Sequence, residues 1–264
     1  MTNFDQMIGE FSKVEAGKHS VLAPENWSQG RTLYGGMSAA LCYVAAEALA
    51  SPELPIRSAL VSFIGPAGGQ LTAESEVLRR GRSTLIAEAG LNSESGIGTR
   101  ATFAFGAGRE SRIDQSKLRL PEVSQPDACP DFWSAAGQGP NFAKNFEYRL
   151  AGGARPRSGS DATEMLAWVR HKVPVRSSQI AGLLALADSL PPAAITAFEE
   201  PAPISTLSWS IEFLQTDIDV QDNWYLCQSR AEHTAEGYSS QAMYLWDSSG
   251  RPVIAARQTV VIFY

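Results

Sequence analysis

The run Ile180-Ala181-Gly182-Leu183-Leu184-Ala185-Leu186-Ala187-Asp188-Ser189-Leu190 holds a single ionisable side chain, Asp188. A run of this kind reads as a helix that is apolar almost all round, and such a helix is wrapped by other structure. Ionising an unpartnered carboxylate there costs several kcal/mol or raises its pKa by units. A chain tolerates that when the carboxylate has partners, and a buried, perturbed carboxylate is what a general base looks like. The other reading is that Asp188 sits in the last turn and faces water ahead of Pro191-Pro192. The residue alone leaves both readings open.

Other chemistries have less to stand on. The sequence contains no GxSxG nucleophile elbow, HExxH, P-loop or CxxC. Gly96-Ile97-Gly98-Thr99-Arg100-Ala101 fits the GxGxxA form of the dinucleotide fingerprint. The alternating Thr102-Phe103-Ala104-Phe105 that follows reads as a strand, where the fingerprint needs a helix start to hold pyrophosphate. His19, His171 and His233 are far apart, with no carboxylate at ligand spacing, so neither a metal site nor a serine-histidine triad is expected. Hydrolysis by water needs only polar groups that orient and deprotonate it. No cofactor is expected.

Cys42, Cys129 and Cys227 form no CxxC pair and leave one thiol over in any disulfide scheme, which points to a reducing cytoplasm. The net charge of −6 argues against a nucleic-acid partner. Arg79-Arg80-Gly81-Arg82 reads either as a solvated hairpin end or as a contact for a phosphate-bearing substrate. With 44% hydrophobic and 19% charged residues and no run long enough to span a bilayer, the composition is that of a soluble globular chain. The start, Met1-Thr2-Asn3-Phe4-Asp5-Gln6, lacks the basic and apolar stretches of a signal peptide.

The elements that must position Asp188 are written twice along the chain. The first copy opens with Leu33-Tyr34-Gly35-Gly36, runs into a small, apolar helix from Met37 to Leu49, and is stopped by Ser51-Pro52 and Pro55. Strands are predicted over Arg57 to Ile64, Gln70 to Arg79, Ser83 to Asn92 and Thr99 to Gly106, with turn residues between them. The second copy has a helix from near Arg176 to Leu190, then strands over Ser205 to Leu214, Trp224 to His233, Ser239 to Trp246 and Val253 to Phe263. Phe146 to Leu150 and Thr163 to Arg170 are read as extra strands leading into that helix. Aligning the copies sets Glu47 opposite Asp188 and Phe63 opposite Phe213. A long apolar helix followed by an antiparallel meander, repeated, is an α+β architecture in which each sheet wraps a central helix. The charged, proline-containing stretch from Arg109 to Pro130 reads as a crossing linker. The organisation expected is an N-terminal unit over 1–110, a linker over 111–140 and a C-terminal unit over 141–264.

With this repeat in place, the sequence resembles the bacterial type II acyl-CoA thioesterases, whose chain is a double hotdog, a fused pair of hotdog folds. The likeness rests on Leu33-Tyr34-Gly35-Gly36, on the stretch from Arg57 to Gly68, on Glu76 to Ser83 and on Ala101 to Phe105. In the second half it rests on Leu186-Ala187-Asp188-Ser189-Leu190-Pro191, Ile204-Ser205-Thr206-Leu207 and Ala255-Ala256-Arg257-Gln258. The order and spacing of these stretches make the match.

The resemblance implies hydrolysis of an acyl-CoA thioester by a water held by an aspartate, a hydroxyl residue and a glutamine. These fall on Asp188, Thr206 and Gln258, with Ser205 and Ser208 as nearby hydroxyls if the register slips. Asp188 can accept a proton, and the Thr206 hydroxyl and Gln258 amide each offer both a donor and an acceptor. Thr206 also reads as an ordinary β-branched strand residue, and Gln258 as a solvent-facing one. The first copy departs from the pattern, with Ile56 where the second has Thr206 and Ala101 or Thr102 where it has Gln258, so one active site per chain is expected. Gly35 and Gly36 would lend a helix start as an oxyanion or substrate-binding site, or simply pack loop against sheet. Trp27, Tyr34, Trp209 and Phe213 are the side chains expected to close the pocket. An acyl-CoA partner is implied, with no membrane insertion, and association of two such chains into a homodimer is left open. Two other functions stay in view: a non-catalytic acyl-CoA or lipid-binding protein, and an enoyl-CoA hydratase-type enzyme. The latter pairs its aspartate with a histidine five residues on, where this chain has Ala193.

Overall fold

The computed structural model describes residues 1–12, 14–15, 18–133 and 139–264; within the expected linker, residues 134–138 lie outside the described residues. In chain order the elements are α1 (Phe4–Phe11), β1 (Val14–Glu15), β2 (Lys18–Leu22), β3 (Ser28–Gln29), β4 (Thr32–Leu33), α2 (Gly35–Glu47), β5 (Ile56–Phe63), β6 (Gln70–Arg80), β7 (Thr84–Ser93), β8 (Gly96–Gly106), β9 (Phe146–Gly153), β10 (Glu164–His171), α3 (Gln179–Ala187), β11 (Ile204–Phe213), β12 (Tyr225–Ala235), β13 (Tyr238–Asp247) and β14 (Pro252–Ile262). Among these residues no helix is long and apolar enough to cross a membrane.

Apart from the small β3–β4 hairpin, the strands form one 12-stranded sheet in the order β1-β2-β6-β7-β8-β5-β11-β14-β13-β12-β10-β9. Neighbouring strands pair antiparallel, and the two halves join edge to edge through β5 and β11, with Leu60 opposite Ser210. Those two residues are 150 positions apart, the same offset that sets Phe63 against Phe213 and Ile56 against Thr206. The bulges repeat as well: the pairing shifts between Ile56 and Ser58 in β5 and between Thr206 and Ser208 in β11. The sheet is therefore a duplicated unit continued across its own local two-fold. Register corrects one expected correspondence. Gln258 pairs with Trp209 and Gln241, and the matching position in the first half, between Ala59 and Ala87, is Phe103 rather than Ala101 or Thr102.

Each half of the sheet curls around one helix. Every residue of α2 from Gly36 to Ala46 is buried. In α3 the same holds from Ala181 to Ala187, so its leucines Leu183, Leu184 and Leu186 each contribute roughly 1.5–3 kcal/mol by burial. Small side chains, alanines above all, let the two helices pack against each other, and the first turn of α2 meets the end of α3.

Helix α3 is shorter than the expected Arg176–Leu190. At its start the Asp5 carboxylate accepts the backbone N–H groups of Arg176 and Ser177, and Ser178 takes the N-cap, its hydroxyl accepting from the Ala181 N–H. At its end Asp188 leaves the helical region, with φ −91° and ψ 8°, and Pro191-Pro192 cannot continue the helix.

The stretch from Arg109 to Pro130 has little regular structure but is fastened to the outer face of the second half-sheet. Leu120, Val123 and Cys129 pack on Leu166, Trp168, Leu226 and Trp246, and the Trp168 indole donates to the Ser124 carbonyl at 2.9 Å.

Candidate active site

Asp188 caps the C-terminus of α3 and turns inward, onto the first turn of α2. Its Oδ1 accepts a hydrogen bond of 2.7 Å from Gln258 Nε2, and the backbone N–H of Gly36 is directed at the same carboxylate. Gly35 lies against the other oxygen, so closely that a Cβ at that position would stand 2.7 Å from Oδ2 and 3.2 Å from the Phe63 ring. A Cβ on Gly36 would come within 2.9 Å of the Asp188 Cβ. Both glycines are thus needed for helix and carboxylate to approach, and the positive end of α2 favours the anion. Loss of hydration outweighs these contacts and pushes the Asp188 pKa from 3.8 up to about 7, with the Gln258 and Gly36 hydrogen bonds opposing the rise. Asp188 stands at the C-cap, half-buried, with its carboxylate turned onto Gln258 and the start of α2 rather than to bulk water.

Gln258 is buried on the inner face of β14 and is held on its far side as well. Its Oε1 accepts 2.7 Å from Gln241 Nε2, and Gln241 Oε1 accepts 2.8 Å from the Ala193 N–H. Thr206 lies in β11 just before the bulge and pairs with Val260, two residues beyond Gln258, so both face the interior. Among the described residues Thr206 makes no direct hydrogen bond to Asp188 or Gln258, but all three line one cavity of about 910 Å³. Ser205 also borders this cavity, whereas Ser208 does not.

The walls differ from those expected. Trp27, Tyr34, Trp209 and Phe213 are core residues, and the aromatic rings facing the cavity are Phe63, Trp133 and Phe142. Loops, which have no period to betray them, supply much of this wall. Tyr34 instead buttresses the site from beneath: its hydroxyl donates to the Ala185 carbonyl, and its ring stacks on Phe142 at 4.0 Å. At the rim stand Arg31 and Arg157, both exposed and neither in an ion pair among the described residues. The Arg79–Arg82 cluster lies elsewhere. Arg80 donates to the Leu49 carbonyl past the C-terminal end of α2, roughly 20 Å along the helix from Gly35.

Glu47, the residue set opposite Asp188 in the first half, is exposed at the other end of α2 and accepts 2.7 Å from the Tyr43 hydroxyl. Asp188, Thr206, Gln258, Gly35 and Gly36, the residues marked in the sequence, all line the cavity or close on it, whereas Gln241, Arg31 and Arg157 carry no motif or spacing that marks them.

Residues 126–262, just over half of the chain, match the family model described as the acyl-CoA thioesterase C-terminal domain, and residues 23–106 match the one for the acyl-CoA thioesterase N-terminal domain. No curated protein matches the sequence. Among solved structures, a conserved protein of unknown function with a hot dog fold from Alicyclobacillus acidocaldarius is 22% identical, covering 97% of this chain and 98% of its own, with a TM-score of 0.82. An acyl-CoA thioesterase II from Mycobacterium marinum is 16% identical over 97% and 98% of the two chains, at a TM-score of 0.75. The tesB protein of Mycobacterium avium subs paratuberculosis is 15% identical over the same shares, at 0.78. The fold is the double hotdog.

Proposed function

The chain belongs to the acyl-CoA thioesterase family and is a thioester hydrolase, and from that premise we propose that it cleaves acyl-CoA with Asp188 as the general base. The observation that supports this reading is the carboxylate of Asp188, enclosed between Gln258 and the glycine start of α2 on the wall of a large cavity. In its ionised form Asp188 takes a proton from a water whose oxygen bonds to the thioester carbonyl carbon. The Gln258 amide keeps a second N–H, and Thr206 a hydroxyl, with which to orient that water. The N–H of Gly36 is engaged with Asp188, so stabilising the oxyanion falls to Gly35, which faces the cavity. Collapse of the tetrahedral intermediate breaks the C–S bond, and the proton held on Asp188 passes to the leaving sulfur. The products are a carboxylic acid and CoA thiol.

Arg31 and Arg157 support the CoA moiety as the handle, since two guanidinium groups at the rim suit its phosphates. A cytoplasmic setting belongs to the same proposal, in keeping with three unpaired cysteines. The test is thiol release across acyl-CoA esters from acetyl to palmitoyl, aromatic acyl groups included, each against the matching acyl-carrier-protein thioester. Release from at least one acyl-CoA is expected, and cleavage of carrier-protein esters alone would overturn the CoA assignment.

A further inference from the structure

Asp188, Ser189 and Leu190 lead directly into Pro191-Pro192 and then Ala193, whose backbone N–H starts a line of hydrogen bonds that returns to Asp188. Ala193 N–H donates to Gln241 Oε1 at 2.8 Å, Gln241 Nε2 to Gln258 Oε1 at 2.7 Å, and Gln258 Nε2 to Asp188 Oδ1 at 2.7 Å. Both glutamines are almost fully buried, at 1% and 3% exposure, so the protein and not solvent decides which way each amide points. An amide side chain can in principle be turned either way, and only its network fixes the choice. Here one end of the line cannot be turned. A backbone N–H is always a donor, which makes the Gln241 oxygen the acceptor there and its nitrogen the donor to Gln258. The Gln258 oxygen is thereby occupied, and its nitrogen must face Asp188.

We propose that Gln241 is a positioning residue for thioester hydrolysis: anchored on the Ala193 N–H, it holds Gln258 in the one orientation that presents a donor to Asp188 and so keeps that carboxylate a proton acceptor. This rests on the reading of Asp188 as the base. A glutamine turned the other way would set an oxygen against the carboxylate, and the proton would then be retained on Asp188 to bridge the two oxygens.

The neighbours of Asp188 leave this control uncontested. Tyr34, before α2, and Tyr148, on β9, are neutral groups whose pKa values burial pushes upward. The charged side chains that line the cavity with Asp188 are Arg31 and Arg157, and Arg257 of β14 points outward to pair with Glu232.

The experiment is the pH profile of kcat/KM for the full chain, with Gln241→Met and Gln241→Glu beside Asp188→Asn. Gln241→Met keeps the length of the side chain, adds no charge and frees Gln258 to turn. Its acidic limb should move up by about one unit, giving on the order of tenfold less activity below the limb and recovery above it. Gln241→Glu still accepts from Ala193 but draws the Gln258 nitrogen to itself, so its limb should move further. A residue that merely packs the core would lower the rate equally at every pH. If Asp188→Asn is inactive and both Gln241 profiles superimpose on that of the wild type or fall uniformly below it, the inference is overturned while Asp188 stands as the base. Should Asp188→Asn retain full activity, the reading of the base fails first. Should Gln241→Met not fold, the near-isosteric Gln241→Glu decides alone.

Discussion

Replacing Asp188 with asparagine is expected to make the protein both inactive and more stable in alkaline solution, a pairing that a simple folding defect cannot produce. The carboxyl is shifted from 3.8 to about 7 by the loss of its hydration. The folded state therefore holds the proton more tightly than the unfolded chain. A raised folded-state pKa contributes stability that is complete below about pH 4 and is lost as the pH climbs through 7. At about 1.36 kcal/mol per unit the full loss is roughly 4 kcal/mol, an upper bound, since water in the cavity screens part of it. Of this, roughly 2.6 kcal/mol falls between pH 5 and pH 8.

An asparagine side chain does not ionise, so the Asp188→Asn variant escapes that loss. Its amide can still accept from Gln258, but it sets an N–H toward Gly36, a mismatch costing about 1–3 kcal/mol at every pH. The diagnostic quantity is thus the change in the stability difference with pH rather than the difference itself. Urea unfolding of both proteins at pH 5 and pH 8 measures it. In parallel, kcat for thiol release should fall by about 10²–10⁴ with KM little changed, because the interaction removed is made chiefly in the transition state. Wild-type activity should also fall away below about pH 7 as Asp188 takes up a proton. Stability differences that are equal at the two pH values would refute the buried, perturbed carboxylate, and undiminished thiol release would refute the base.

Gly35→Ala should leave the fold intact but push Asp188 Oδ2 aside, since the new methyl would lie 2.7 Å away; a loss on the order of 10²-fold in kcat, read by thiol release, is expected. Arg31→Ala and Arg157→Ala should raise KM for acyl-CoA while sparing kcat, and should leave hydrolysis of a short thioester lacking phosphates unchanged. Glu47→Gln should leave thiol release unaltered, because Glu47 stands at the far end of α2 from Gly35, where its carboxylate accepts from the Tyr43 hydroxyl.

The sheet was legible because its two copies share turn residues and an alternating pattern, and because Phe63 and Phe213 already carried the offset seen across β5 and β11. Helix α1 is too short for its period to stand out, and its one sequence mark is the spacing of Asn3 and Gln6, which form a capping box. Short β1 to β4 offered too few residues for a period to show. At the site, Asp188 announced itself by its apolar surroundings. Gln241 did not, since its place beside Gln258 arises only from the pairing of β13 with β14. The cavity walls are not legible for a related reason: large aromatics in a sequence mark burial, and burial in the core looks no different from burial against a ligand.

The asymmetry of the two halves follows from the cost of buried amides. Where the second half has the relay amides Gln258 and Gln241, the same register places Phe103 and Ala87 in the first. Both positions are apolar in the first half. A line of buried hydrogen bonds behaves this way because each amide satisfies the next, and removing one member strands its neighbour at a cost of about 1–3 kcal/mol. A half-kept relay is worse than none. In the first half the space is filled by Phe103 packed edge-on to Tyr43, with ring centroids 5.8 Å apart, and the Tyr43 hydroxyl is spent on Glu47. The first copy meets the second through α2 instead, whose glycine start closes on Asp188. In the second half every buried amide of the relay has a partner, from the Ala193 N–H through Gln241 and Gln258 to Asp188.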